Sequence, residues 1–135
     1  GAKYGVLACS GIIAPEFYRD LVNKGAVVLV NSASLSTMGM GREFFDQAYQ
    51  MARFQAVANS RTLIQSARGK RSYIMNSNGF IEFQNKTEGT DYFIGEIKPN
   101  STKTIYSAWG EWVVWASAIG ILAYLIFVKK TSKPN

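Results

Sequence analysis

The sequence predicts a mixed α/β domain that is followed by one membrane-spanning helix. Two strands and an intervening helix are expected between Tyr4 and Val30, which is the size of a β-α-β unit. A long amphipathic helix and several shorter strands come next. A run of 17 residues without a charge, Trp112 to Val128, then changes the composition of the chain. With 135 residues, the chain is long enough for one domain of ordinary size.

The β-α-β unit begins with the apolar run Tyr4–Ala8, which predicts a buried strand. The segment Ala14–Lys24 predicts an amphipathic helix, because its apolar residues recur at helical spacing and Pro15 suits a first helical turn. Gly25 suits the position just after that helix. The β-branched run Ala26–Val30 predicts a second strand that is buried on both faces.

The segment Asn31–Gly41 is rich in Ser, Gly and Met and predicts a loop without regular structure. It follows the second strand, at the carboxyl edge of the sheet where open α/β sheets usually form their sites. The alternative is a plain connection. The segment Arg42–Ser60 predicts a long helix packed on the sheet, because its apolar residues follow an i, i+3, i+4, i+7 pattern.

The rest of the soluble part is predicted to form short strands joined by turns. Asn76–Gly79 is a strong hairpin signal, and Arg68–Arg71 predicts a basic turn. The predicted strands are Thr62–Ala67, Ser72–Met75, Phe80–Gln84 and Asp91–Ile97.

The charge-free run Trp112–Val128 predicts a transmembrane helix. It spans roughly 25 Å at 1.5 Å per residue, and Trp109 with Gly110 can extend it. Aromatic residues near its ends and Lys129 with Lys130 just beyond it favour a membrane span over a buried core helix. The chain then divides into a domain at 1–100, a linker at 101–110, a membrane helix at 111–130 and a tail at 131–135.

The lysine-rich tail is expected in the cytoplasm by the positive-inside rule. The protein is therefore expected in the inner (cytoplasmic) membrane, with its soluble domain facing the periplasm or the cell exterior. The chain begins at Gly1 without an initiator Met, so we expect it to be a piece of a longer protein or a processed product.

Cys9 is the candidate nucleophile. It is the one cysteine of the sequence, and it lies between a strand end and a helix start, on a sharp turn. The helix amino terminus favours a thiolate there. The alternative is a small, inert core residue. Glu16 can serve as a base near Cys9 or only complement the helix terminus. Arg53 can orient a loop of the site or act as a solvated or ion-paired surface residue.

The composition excludes several classes of function. The sequence contains no histidine, so a Ser-His or Cys-His pair cannot be built within it, and zinc is not expected. No other metal and no cofactor is predicted. The net charge of +6 comes from dispersed residues and two basic clusters, Arg68–Arg71 and Lys129–Lys133. Neither cluster has interleaved aromatics or a nucleic-acid-binding motif, so nucleic-acid binding is not expected. Any catalysis must use carboxylates, lysines or a partner segment.

Several motifs recur in a characteristic order and spacing. They are Gly5–Cys9, Pro15-Glu16, Leu21–Asn31, Gln50–Arg53 with Ala56, Ser60–Ile64, Asn78-Gly79 and Tyr106-x-x-x-Gly110-x-Trp112. Together these motifs resemble the nitrilase (carbon–nitrogen hydrolase) superfamily, and the membrane helix at the end resembles its apolipoprotein N-acyltransferase family in particular. The resemblance covers nearly all of the chain and concerns the carboxyl-terminal part of that family.

This resemblance implies half of an α-β-β-α sandwich with a Glu-Lys-Cys catalytic set in which Cys9 is the nucleophile. It implies that Cys9 takes an acyl chain from a phospholipid as a thioester and passes it to the amino-terminal amine of a lipoprotein. The implied partners are the phospholipid, the lipoprotein, the membrane and the upstream half of the same protein. The family's Glu and Lys precede the cysteine, so this segment alone is expected to be inactive.

Several positions depart from the family pattern. The family has Tyr-Glu after the cysteine, where this chain has Ser10-Gly11. The family's Asn-Asp-x-Trp-Phe loop corresponds to Ser34–Met38, and its Thr-Asn-x-Gly turn to Ala67–Lys70. Two further hypotheses therefore stay open: a catalytically inactive, membrane-anchored binding or scaffold protein, and a nitrilase-type amidase acting on a small substrate.

Overall fold

A five-stranded sheet forms the centre of the domain in the computed structural model, which describes residues 1–34, 42–68, 72–85 and 92–131. The strands lie in sequence order across the sheet. The first three are parallel, and the last two are antiparallel to their neighbours. The strands are β1 (Tyr4–Ala8), β2 (Val28–Ser34), β3 (Thr62–Arg68), β4 (Tyr73–Met75) and β5 (Ile81–Gln84).

The helices confirm the predicted order of elements, with two additions. A short 3-10 turn, Cys9–Ile13, follows β1 directly and precedes the first α-helix. A short helix also forms within the predicted linker at 101–110. The α-helices are α1 (Pro15–Asn23), α2 (Arg42–Asn59), α3 (Ile105–Trp109) and α4 (Trp112–Thr131).

Both α1 and α2 end in the same hydrogen-bonded cap. After α1, Gly25 takes a φ of 97°, its N–H donates to the Val22 carbonyl, and the Ala26 N–H donates to the Leu21 carbonyl. These two bonds make a Schellman motif. After α2 the same pair of bonds surrounds Ser60, whose φ is 51°. A helix cap therefore explains the left-handed backbone of Ser60.

The apolar core lies on one face of the sheet, between the strands and the helices α1 and α2. Strand residues that point to this face meet the inner stripes of the two helices, and the buried part of the 3-10 turn completes the cluster. The buried members are Ile12, Tyr18, Val22, Ala26, Leu29, Ala52, Ala56, Leu63 and Met75. One layer of helices thus covers one face of the sheet.

The opposite face is only partly covered. On β1, Tyr4 is 54% exposed and Val6 is 59% exposed. Near the β4–β5 hairpin, the chain beyond β5 crosses this face, where Gly95 packs directly on Phe83 and Ile74. An apolar strip on β1, at the edge of the sheet, is therefore left open among the described residues.

The predicted strand Asp91–Ile97 is wrong: the described part, 92–97, contains no strand. Its residues do alternate between exposed and half-buried, as the pattern suggested. The segment crosses over side chains of β4 and β5 rather than lying along a sheet edge, so its backbone does not form a ladder. Asp91 lies outside the described residues.

The prediction placed the end of the second strand too early. In the structure, β2 continues to Ser34 through the first residues of the predicted loop. The small polar residues there pair in register with β3, and the Asn31 Nδ2 donates to the Gln65 Oε1 at 3.0 Å. Paired polar side chains thus take the place of the apolar residues expected in a strand. The rest of that loop, 35–41, and residues 69–71 of the basic turn lie outside the described residues.

The helix α4 contains no buried residue, and its 20 residues span about 30 Å, the thickness of a bilayer core. By length and composition it is the helix of the described chain that can cross a membrane. Lys129 and Lys130 lie in its last turn.

Replacing Leu63 by alanine tests the position of the core. Leu63 is fully buried, so Leu63→Ala should lower the free energy of unfolding by about 2–5 kcal/mol in urea or thermal unfolding. As a control, Val57→Ala on the outer side of α2 should change it by less than about 0.5 kcal/mol. Equal effects of the two substitutions would contradict the described core.

Candidate active site

Cys9 lies at the carboxyl end of β1, on the turn that the sequence predicts. Its φ of 52° places it in the left-handed region, and its side chain is exposed. A residue other than glycine rarely adopts this backbone, which costs roughly 1–2 kcal/mol. At Ser60 a helix cap accounts for it, but Cys9 follows a strand. Strain of this kind at an exposed nucleophile-type residue is typical of functional turns.

The chain after Cys9 is fixed by packing. A Cβ atom at Gly11 would approach the Leu7 Cβ to 2.8 Å, so the turn folds back closely on β1. Ile12 is buried in the core, and the Ala14 N–H donates to the Gly11 carbonyl at 3.2 Å. The backbone on both sides of Cys9 is therefore anchored, which allows the strained conformation to persist.

Gln55 on α2 also holds the turn, and sequence reasoning missed it. This side chain is fully buried, and its Nε2 donates to the Ile12 carbonyl at 3.4 Å. Its Oε1 accepts from the Asn59 Nδ2 at 3.3 Å. The sequence did offer one signal for this role. Gln55 is a polar residue on the stripe of α2 that also carries Ala52 and Ala56 and is otherwise apolar.

A second buried polar pair lies in the sheet below the Cys9 turn. Asn31 is the neighbour of Leu7 on β1 and of Gln65 on β3, and all three side chains point to the helix-covered face. The Asn31 Oδ1 is buried and has no hydrogen-bond partner among the described residues. An unpaired buried amide oxygen is costly, so this position is a second departure from ordinary core chemistry near the turn.

Among the described residues, neither Lys3 nor Glu16 is placed as a helper beside Cys9. Lys3, the lysine that precedes Cys9 in the sequence, lies against Gly25 at the opposite end of β1. Glu16 is exposed in the first turn of α1, where a carboxylate complements the helix terminus. Burial is the main cause that raises the pKa of Tyr106 on α3, and the charge of Glu16 adds to it, so Glu16 lies near that helix.

Arg53 does not lie at the Cys9 turn. Its Cζ is 5.8 Å from the centre of the Phe80 ring, a cation–π distance, and its side chain packs on Gly79. Arg53 therefore joins α2 to the β4–β5 hairpin. The described residues contain no group of three His, Cys, Asp or Glu side chains that could hold a metal ion.

Comparison with solved structures identifies the architecture. The chain superposes on a carbon-nitrogen hydrolase from Helicobacter pylori with a TM-score of 0.59 at 18% identity, covering 67% of this chain and 38% of that one. It superposes on Nit3 of Saccharomyces cerevisiae, a member of branch 10 of the nitrilase superfamily, with a TM-score of 0.55 at 20% identity, covering 65% and 34%. The fold is a nitrilase-type fold. The predicted fold class is confirmed.

At the level of sequence, the chain is similar to the apolipoprotein N-acyltransferase of Geobacter metallireducens. The two are 28% identical over 131 residues, which is 96% of this chain and 25% of the relative. The chain thus spans about a quarter of the length of the curated relative it matches, and the predicted resemblance is confirmed. No family model matches the chain.

Glycine at position 9 tests the strain of the turn. Because glycine adopts a positive φ without steric cost, Cys9→Gly should be more stable than Cys9→Ala by about 0.5–1 kcal/mol in equilibrium unfolding. At Ser10, which does not have a positive φ, the order should reverse. A Cys9→Ala variant as stable as Cys9→Gly would show that the turn is unstrained.

Proposed function

We propose that this chain is the cysteine-bearing part of a membrane-anchored acyltransferase that forms a thioester on Cys9. The observation that carries the proposal is the exposed Cys9 on a strained turn at the carboxyl end of β1, in a nitrilase-type fold. Similarity to an apolipoprotein N-acyltransferase supports this class of reaction. The membrane-compatible helix α4 supports a lipid substrate, because a soluble substrate needs no anchor.

The proposed reaction has two steps. The Cys9 thiolate attacks the ester carbonyl of a phospholipid acyl chain, the carbon–oxygen bond breaks, and the lysophospholipid alcohol leaves with a proton. The amino-terminal amine of a lipoprotein then attacks the thioester carbonyl, loses a proton and releases the thiolate as an amide forms. The general base and the positive group that stabilises the oxyanion come from the upstream half of the protein.

Helix α1 contributes to the first step through its position. It begins at Pro15, shortly after Cys9, and its first turn carries one acidic residue, Glu16. The unpaired N–H groups at the amino terminus of a helix attract negative charge, so a thiolate or a developing oxyanion near this end is favoured. We propose that this end of α1 assists Cys9, with the carboxylate of Glu16 offsetting part of its positive charge.

A binding or scaffold protein without catalysis is the second candidate. Its support is the set of departures from the family pattern, above all Ser10-Gly11 directly after the cysteine. Both residues belong to the 3-10 turn, and Gly11 is required there by its contact with Leu7. The turn is therefore built for a different neighbour of the nucleophile than the family has.

Mass spectrometry of the full-length protein tests the proposed thioester. After incubation with phospholipid vesicles, the tryptic peptide that contains Cys9 should carry an acyl chain that neutral hydroxylamine removes. The adduct should be absent from Cys9→Ala and present in the matched control Ser10→Ala. An unmodified Cys9 in the active preparation, or an adduct that survives in Cys9→Ala, would exclude the mechanism. If Cys9→Ala also leaves cellular function intact, the scaffold function is favoured.

The proposed orientation places the domain outside the cytoplasmic membrane and the carboxyl-terminal tail in the cytoplasm, because Lys129 and Lys130 lie in the last turn of α4. A reporter enzyme that folds only in the cytoplasm, fused after residue 135, should be active. The same reporter placed at residue 1 should be inactive. Activity in the reverse pattern would show the opposite orientation.

A further inference from the structure

The segment between the sheet and the membrane helix, residues 98–110, lies across the domain and is called the strap here. Its first half is fixed by a buried guanidinium. Arg61 is 2% exposed, and its Nε donates to the Ala26 carbonyl at 2.9 Å. Its Nη1 donates to the carbonyls of Asn59 at 3.1 Å, Ser60 at 3.0 Å and Thr102 at 2.6 Å. One side chain thus joins the end of α2, the chain before β2 and the strap.

Four further hydrogen bonds hold the same part of the strap. The Asn100 Nδ2 donates to the Ser60 carbonyl and hydroxyl, both at 2.9 Å. The Thr62 hydroxyl donates to the Lys98 carbonyl at 3.3 Å. The Thr104 hydroxyl donates to the Ala58 carbonyl. The carbonyl groups that the end of α2 leaves free are therefore used to bind the strap.

The second half of the strap is α3, which packs against α1 and α2. The rings of Tyr106 and Phe54 meet edge to face, with centroids 5.4 Å apart. Gly110 has a φ of 59° and lies so close to Arg19 on α1 that a Cβ atom there would be 1.3 Å from the Nη1. No other residue fits at this position without moving the strap or Arg19.

These contacts give the strap a direction. Helix α2 runs antiparallel to β2 and β3, so its carboxyl end lies at the edge of the sheet opposite to Cys9. The strap meets Ala58 near that end, then Phe54, which lies one turn closer to the amino end of α2, and then Arg19 on α1. It therefore returns toward the edge that carries Cys9, and α4 begins two residues after Gly110.

We infer that the strap is a positioning device that starts the membrane helix on the Cys9 side of the domain and so holds Cys9 at the bilayer surface. Arg61 and Gly110 are its positioning residues, and the lipid ester of the membrane is the group brought to Cys9. The role given to the strap rests on the proposed function, because it assumes that Cys9 reacts with a lipid ester. The position of Cys9 relative to the bilayer can be tested without any acyl transfer.

The test measures how close Cys9 lies to lipid headgroups. In the full-length protein, with other cysteines replaced by serine, a small fluorophore is attached to Cys9 and the protein is placed in phospholipid nanodiscs. Lipids with a nitroxide on the headgroup should strongly quench the fluorescence of the labelled protein that carries no change in the strap. Gly110→Val should lose most of this quenching, because valine cannot adopt the φ of 59° and ψ of −129° at this position without strain and so changes the path of the strap into α4. Gly120→Val is the matched control, since a Cβ there meets no atom within 4 Å.

A second variant keeps every contact of the domain. A flexible Gly-Ser insertion between Gly110 and Glu111 leaves the strap in place but frees the start of α4, and it should also lose quenching at an unchanged unfolding midpoint. Weak quenching of the unmodified protein, or full quenching in both variants, would overturn the inference. Because no outcome depends on a thioester, a failure here is distinct from a failure of the proposed function.

Discussion

The parallel pairing of β1, β2 and β3 is the constraint on which the rest of the structure depends. Parallel neighbours need a crossover between them, and here the crossovers are α1 and α2 on one face of the sheet. Both helices must run back against the strands, so their amino termini lie at one edge and their capped ends at the other. The Cys9 turn occupies the first edge, and the Arg61 contacts occupy the second.

This division separates two kinds of polar chemistry. At the Cys9 edge, the polar groups are side-chain amides that brace a strained turn, with Gln55 as the residue that reaches it. At the opposite edge, carbonyl groups at the end of α2 surround a buried cation whose pKa is lowered by burial. A guanidinium suits this second role because it presents several donors in a fixed plane. The carboxyl end of α2 is thus satisfied by a cation.

Local pattern was sufficient for most elements and for the turn at Cys9, because a strand, a sharp turn and a capped amphipathic helix each leave a signal in adjacent residues. It was not sufficient where the partner is distant in sequence. The polar end of β2 is a strand only because β3 lies beside it, and 92–97 is not a strand because it crosses a face. Gln55 and Arg61 could not be assigned roles from spacing, since their partners lie 43 and 35 residues away.

The open strip on β1 has a consequence for the handling of this segment. At the edge of the described sheet, β1 offers unpaired backbone groups beside the exposed side chains of Tyr4 and Val6. Such an edge is a template for another strand, and charge or proline, the usual protections, are absent from Tyr4–Ala8. A segment in which this edge stays open would therefore tend to associate with copies of itself through β1.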